Sequence, residues 1–353
     1  KWSEKSQKSK LKAFDIASEI LEAEAKRNLE ESQKVSLNVS EYEKFCDTFK
    51  FTETPDQERV IREVIADLLS DKPQDRLICG EVGFGKTEVA LRASFIVAQN
   101  DYQVCILAPT TVLAKQHFEV FKERFSEFPY RICLLTREQT KAEKAEIYKK
   151  IKENYFSIII GTHALFNKDI SFKNLNLLII DEEHKFGVRQ KEQIRSLKNG
   201  INVISLSATP IPRTLNLSLS KVRDISLITT PPTGRKSVKT IVSRYSKSLV
   251  FEAIQREFYR DGQVFYLLNN VSMLEEKKKE ISDRFPEKKV AFAHGQLRPK
   301  ELSKVMESFI RKEIDLLVCT TIIESGIDIE NANTLIVEES ENYGLSQLHQ
   351  IRG

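Results

Sequence analysis

The chain has 353 residues, enough for about two domains at roughly 100 to 200 residues each, and 41% of them are hydrophobic, so two cores can be filled. Charged residues reach 30%, yet the formal net charge is only +4, so bulk charge does not single out a nucleic-acid partner and clustering has to decide. No apolar run approaches the roughly 20 residues that cross a bilayer. The opening "KWSEKSQKSK" has neither a signal-peptide core nor an initiator Met, which predicts a cytoplasmic fragment of a longer protein with no membrane partner.

Residues 11–31 place Leu11, Phe14, Ala17, Leu21 and Ala25 at spacings of three and four, predicting one long amphipathic helix whose stripe packs on a neighbour. From Arg76 the pattern changes to short apolar runs separated by helical stretches: "RLIC", "VCILAP", "RICLLT", "SIIIGT", "LNLLIIDE" and "NVISLSAT". That alternation predicts a parallel sheet covered by helices on both faces. After the linker-like "TTPPTGRKSVKT" a second series follows: "TIVSRY", "QVFYLL", "KVAFAHG", "DLLVCTT" and "TLIVEES". A second α/β domain is therefore expected. The five cysteines, Cys46, Cys79, Cys105, Cys133 and Cys319, fall mostly in or beside these runs with no zinc-type spacing, and read as reduced and structural.

Gly80 to Thr87, "GEVGFGKT", fits the phosphate-loop pattern G-x-x-x-x-G-K-[ST], with a predicted strand before it and a helix after it. Gly80, Gly83 and Gly85 let the backbone turn its N–H groups inward as an anion nest at a helix N-terminus. Lys86 would neutralise β- and γ-phosphates, and the Thr87 hydroxyl would ligate Mg²⁺. In "LNLLIIDEEHKFG", Asp181 and Glu182 stand just past a buried strand, where doubly wound sheets bind ligands. Asp181 would hold the hydrated Mg²⁺, and Glu182 would deprotonate an attacking water. An Asp-Glu pair after a strand equally suits the start of a helix, and it is the combination with the phosphate loop that points to hydrolysis.

"TPDQ" at Thr54–Gln57, "GEVGFGKT", "APTTVLAKQH", "GTHALF", "DEEH", "SATPIPRT", "AHGQL" and "TTIIESGID" stand in the order of the superfamily 2 helicases and translocases. Across nearly its whole length the chain closely resembles the motor region of the bacterial transcription-repair coupling factors, which remove stalled RNA polymerase and summon excision repair. The chain also resembles the RecG-type fork-remodelling helicases, which share "ATPIPRTL" and "LSQLHQ"; Phe84 and Glu183 favour the coupling factors.

The resemblance implies two RecA-like doubly wound domains in tandem, over 51–235 and 236–353, after a helical lead-in over 1–50. It implies ATP and Mg²⁺ as cofactors, with Phe51 and Gln57 on the adenine and with Gly326 and Asp328 as the second domain's edge of a nucleotide cleft. It also implies double-stranded DNA held through Thr110, Thr111, Gly161, Thr162, His163, His294, Gly295, Thr320 and Thr321. Such residues contact phosphates without reading sequence; taken singly, a Thr pair at a strand end equally suits a turn or helix cap. Ser207, Thr209 and Arg213 in "SATPIPRT" would couple the γ-phosphate to DNA grip, with an ion pair in a rigid loop as the other reading of Arg213.

The family's Q-x-x-G-R-x-G-R motif is represented only by Gln350 and Gly353, so a chain ending there is expected to bind ATP and hydrolyse it poorly. RNA polymerase and repair proteins would be met by regions outside this chain. Two alternatives stay open: a RecG-type helicase, and a non-catalytic nucleotide-switched DNA-binding module. A small-molecule kinase ranks lower, because the motifs from His294 to Asp328 have no role in it.

Overall fold

A computed structural model of the chain describes residues 32–187, 190, 193–194, 197, 200–208, 223–235, 238–320, 329 and 331–352. The helix predicted over 11–31 lies outside these residues. The chain divides into two compact units, with the division between Gly234 and Arg235.

In the first unit, helix α1 (Val39–Asp47) starts at Asn38, whose side chain accepts a hydrogen bond from Glu41 N, and it buries Phe45. Helix α2 (Pro55–Leu68) opens with a reciprocal capping box between Thr54 and Gln57, and its apolar stripe of Val60, Ile61, Val64 and Leu68 faces inward. Strand β1 (Asp75–Gly80) then leads through the glycine loop into α3 (Lys86–Ala98). Every α3 residue from Glu88 to Ala98 is buried, so this helix is enclosed on all sides. Phe45 stacks on Phe95 of α3 with ring centroids 4.3 Å apart, which seats α1 directly on it.

Strands β2 (Gln103–Leu107), β3 (Ile132–Leu135), β4 (Ile158–Gly161), β5 (Leu175–Asp181), β6 (Asn202–Ser207) and β7 (Asp224–Ile228) complete the unit, with α4 (Thr111–Arg124) after β2 and α5 (Lys141–Lys152) after β3. They form a seven-stranded sheet in the order β3-β4-β2-β5-β6-β1-β7. Every pairing is parallel. All carboxyl ends therefore emerge along one edge. One face of the sheet rests on a core that includes Leu135, Ile151, Ile159, Leu178 and Ile180.

The second unit has helix α6 (Lys247–Tyr259), strand β8 (Val264–Leu267), helix α7 (Leu274–Arg284), β9 (Val290–Ala293), α8 (Pro299–Ile310), β10 (Leu316–Cys319), β11 (Thr334–Val337) and α9 (Leu345–Arg352). Its four strands are also parallel, in the order β11-β8-β10-β9. Ile254, Val264, Tyr266, Leu274, Ile281, Leu316 and Val318 form its core. The two sheets are those of the RecA-like tandem fold.

One expected strand is corrected. "TIVSRY" has no regular structure, and Ile241, Val242 and Tyr245 are 64%, 88% and 54% exposed. No described strand offers it a ladder, and β-branched residues favour a strand only where a neighbour lets them pack. Tyr245 is instead tied to α7, where Lys277 Nζ donates to its hydroxyl at 3.1 Å. Conversely, β7 ("DISLI") was not foreseen, and it pairs with β1 at the edge of the sheet.

Cys79, Cys105, Cys133 and Cys319 are buried and Cys46 is half-buried. Burial pushes the Cys105 thiol up to about 12 and Cys79 up to about 11, so neither supplies thiolate at neutral pH. Among the described residues no helix is long and apolar enough to cross a membrane.

Candidate nucleotide and polynucleotide site

The phosphate loop turns as its sequence requires. Gly83 and Gly85 have φ of 77° and 82°, left-handed values that a side chain disfavours, and Gly85 is the N-cap of α3. A Cβ on Gly85 would also come within 2.2 Å of Gln57 Nε2. Lys86 folds over the loop and donates to the carbonyls of Gly80 at 2.7 Å and Glu81 at 2.9 Å. Thr87 stands half-buried beside it in the first turn of α3.

Gln57 is 4% exposed, and its amide is engaged on both sides. Its Oε1 accepts from Thr54 N at 2.8 Å, while its Nε2 donates to Phe84 O at 2.9 Å. The side chain expected on adenine thus also grips the phosphate-loop backbone. Phe51 is 73% exposed and meets only Phe49 edge-on, at 5.6 Å, among the described aromatic rings.

Strand register brings the acidic pair to the loop. Asp181 at the end of β5 pairs with Leu206 of β6, and Ser207 pairs with Cys79 of β1. Leu206 in turn pairs with Ile78, so with strands about 4.8 Å apart β6 alone stands between the acidic pair and the end of β1 that leads into the loop. Glu182 follows in the left-handed region, with φ 48° and ψ 53°, and its amide donates to Leu206 O at 2.9 Å. That turn directs its carboxyl inward, where it is 2% exposed and Oε1 accepts from Ala208 N at 3.1 Å. Oε2 is buried with no hydrogen bond among the described residues, although His184 Nδ1 stands 3.3 Å away. Burial, followed by the adjacent Asp181 charge, raises the Glu182 carboxyl to about 7, and Lys86 opposes the shift. A base poised there can take a proton at neutral pH.

Two neighbours were not foreseen from sequence. His117 Nε2 lies 2.9 Å from Asp181 Oδ2. Arg223, just before β7, reaches Glu183 at 3.2 Å and Asp75 at 2.5 Å, and Ser205 donates to Glu183 at 2.9 Å. The three acidic residues of "DEEH" thus have separate surroundings. Asp181 faces α4, Glu182 turns into the interior, and Glu183 is held in an ion-pair cluster.

Along the same edge, Thr110 caps α4 by accepting from Leu113 N at 3.3 Å, and Thr111 is buried. The helix-cap alternative for this pair therefore applies to Thr110, whose hydroxyl proton remains to donate. Gly161 ends β4, and a Cβ there would meet Leu135 O at 2.3 Å. Thr162 is 1% exposed with its hydroxyl unsatisfied among the described residues, while His163 is exposed. In the second unit, His294 follows β9 and Thr320 follows β10, and Thr320 N donates to Ala293 O at 3.3 Å. His294 Nδ1 is buried without a hydrogen-bond partner among the described residues, and Gly295 is exposed. Thr209, Arg213, Thr321, Gly326 and Asp328 lie outside the described residues.

The residues fit a magnesium nucleotide. A glycine-turned loop opens a buried helix, and a hydroxyl and a carboxylate offer the hard oxygens Mg²⁺ prefers, with an unsatisfied carboxylate oxygen alongside.

Residues 54–217 match the DEAD/DEAH box helicase family, and residues 247–353 match the helicase conserved C-terminal domain. The chain is 46% identical over 352 residues to the transcription-repair-coupling factor of Escherichia coli K12, covering 100% of this chain and 31% of that protein. It is 45% identical to the coupling factor of Staphylococcus aureus USA300, again over 100% of this chain and 30% of the relative. The chain thus spans about a third of these relatives' length. Among solved structures, RecG bound to a three-way DNA junction is 34% identical with a TM-score of 0.79, covering 93% of this chain and 44% of that one. Dbp5 of S. cerevisiae bound to RNA and ADP BeF3 shares the fold at 17% identity and a TM-score of 0.65, covering 88% of this chain and 83% of its own.

Proposed function

The chain belongs to the superfamily 2 helicases, as the motor region of a transcription-repair coupling factor, and from that premise we propose that it is an ATP-driven motor on double-stranded DNA. In the whole protein this motor displaces stalled RNA polymerase, while regions outside this chain recruit excision repair. The observation that carries the reading is the buried Glu182 carboxyl, set beside Asp181 and across Ser207 from the phosphate loop.

Each residue then has a task. The loop amides and Lys86 bind the phosphates, and Thr87 and Asp181 hold Mg²⁺, which when bound offsets charge on the phosphate oxygens. Glu182 takes the proton of the attacking water at its carboxylate. Ser207, at the end of the strand between the phosphate loop and Asp181, is placed to report nucleotide state into "SATPIPRT". Thr110, Gly161 and Thr162 on the same edge offer hydroxyl and amide groups to backbone phosphates, as do His294, Gly295 and Thr320 in the second unit.

The test is ATP turnover by the full-length protein with and without duplex DNA. Duplex is expected to accelerate it. Tight ATP binding with turnover indifferent to DNA would instead support the nucleotide-switched module. Lys86→Ala is expected to weaken ATP binding by about 10- to 100-fold, the worth of a charge-assisted hydrogen bond.

The RecG similarity favours one other reading, a fork-remodelling helicase, although identity to that protein is 34% against 46% for the coupling factor. The two part on substrate. Turnover accelerated by linear duplex supports the coupling factor, and turnover that needs a three-way junction, the DNA in the RecG structure, supports the fork remodeller.

A further inference from the structure

Helix α4 begins at Thr111, on the edge assigned above to the polynucleotide, and His117 lies in its second turn. The His117 and Asp181 side chains are each 12% exposed, and Nε2 donates to Oδ2 at 2.9 Å. Asp181 is the last residue of β5 and has one carboxylate oxygen engaged here, which leaves Oδ1 for another ligand. Such a contact fixes the carboxylate rotamer. The far end of α4 is fixed as well, since Arg124 donates to the buried Glu88 of α3 at 2.8 Å. The helix is thus tied at His117 to Asp181 and at Arg124 to α3, and it carries its first residue and the partner of Asp181 together.

We infer that His117 is a positioning residue for Asp181, and that through it the occupancy of the polynucleotide edge at Thr110 and Thr111 reaches the metal-binding carboxylate. The inference rests on the motor reading. Phosphate contact at the N-terminus of α4 thus acts on the helix that carries the imidazole, and through the hydrogen bond to Asp181 it biases the orientation of the carboxylate. DNA thereby adjusts the metal site without touching it. Outer hydrogen-bond partners of metal ligands are worth about 10- to 100-fold in metal affinity or activity, enough for a regulatory effect.

The experiment compares wild-type full-length protein with His117→Leu and His117→Gln. Mn²⁺ affinity is read by electron paramagnetic resonance with a slowly hydrolysed ATP analogue bound, and ATP turnover is measured with and without duplex DNA. His117→Leu is expected to weaken Mn²⁺ binding about tenfold and to remove most of the DNA stimulation. His117→Gln presents an amide N–H where Nε2–H stood and should restore both. Unchanged metal-free nucleotide affinity in all three proteins establishes that the variants are folded. The inference is overturned if His117→Leu keeps full DNA stimulation, whatever its Mn²⁺ affinity, or if His117→Gln is as impaired as His117→Leu. Wild-type protein whose turnover ignores DNA would sink the motor reading instead, so the two failures are distinct.

Discussion

Glu182→Gln is expected to lower ATP turnover by about 10²- to 10⁴-fold, the usual worth of a positioned general base, with ATP affinity unchanged. The same substitution should stabilise the metal-free protein at alkaline pH, and the sign follows from where the carboxyl sits. Its pKa is raised in the fold from the ordinary 4.5 to about 7, chiefly by burial. Between those values the folded state holds a proton that the unfolded state has released. Stability is therefore fully present below the unfolded value and declines as pH rises through 7. At about 1.4 kcal/mol for each pH unit, the ionised carboxylate costs on the order of 3 kcal/mol once both states have lost the proton. Glutamine keeps an oxygen for Ala208 N and carries no charge. Melting temperatures in EDTA should show the variant above wild type at about pH 8 and level with it near pH 5. A variant that loses turnover and shows no alkaline gain would mean that Glu182 is not a buried, poised base.

This base illustrates what could be read from sequence. The six strands foreseen in the first unit are near-continuous apolar runs, because a parallel sheet covered on both faces buries every residue it can. β7 escaped notice because Ser226 interrupts its apolar pattern; Ser226 is 1% exposed yet satisfied, accepting from Arg76 Nη1 at 2.9 Å. "TIVSRY" has strand-forming residues and no described partner, and residue preference without a ladder did not suffice. The phosphate loop was legible because strand, glycine turn and helix are local. The left-handed turn at Glu182 is local too, but nothing in the letters "DEEH" distinguishes the acid that turns inward. The His117 contact spans 64 residues and depends on which face of α4 meets β5. The helix expected after the phosphate loop was legible too, but not that its Glu88 and Arg92 are both enclosed.

Arg92→Met is expected to destabilise the protein by about 3 kcal/mol, within the range for removing one partner of a buried ion pair. Arg92 is 7% exposed, donates through Nε to Glu88 at 2.9 Å, and pairs through Nη2 with Glu53. Its guanidinium also lies 5.8 Å from the Phe49 ring. Burial pushes the Glu88 carboxyl above its ordinary range, and Arg92 and Arg124 act against that shift. Without Arg92, Glu88 retains only Arg124 as a charged partner among the described residues and Glu53 loses this cation, while methionine recovers much of the packing. The cost therefore comes from the acids left behind. It follows that Glu88→Gln combined with Arg92→Met should cost less than Arg92→Met alone, a non-additivity expected of groups in one network. The penalty should also shrink as pH falls and Glu88 takes up a proton. Urea denaturation of the full-length protein and both variants checks this. A single substitution costing under about 1 kcal/mol, the range of an exposed pair, would remove the network from the account of stability. The stakes extend beyond folding. Glu88 joins α3, which begins with Lys86, to α4, which begins with Thr111, so this ion-pair cluster sets the distance between the residues assigned to ATP and those assigned to DNA.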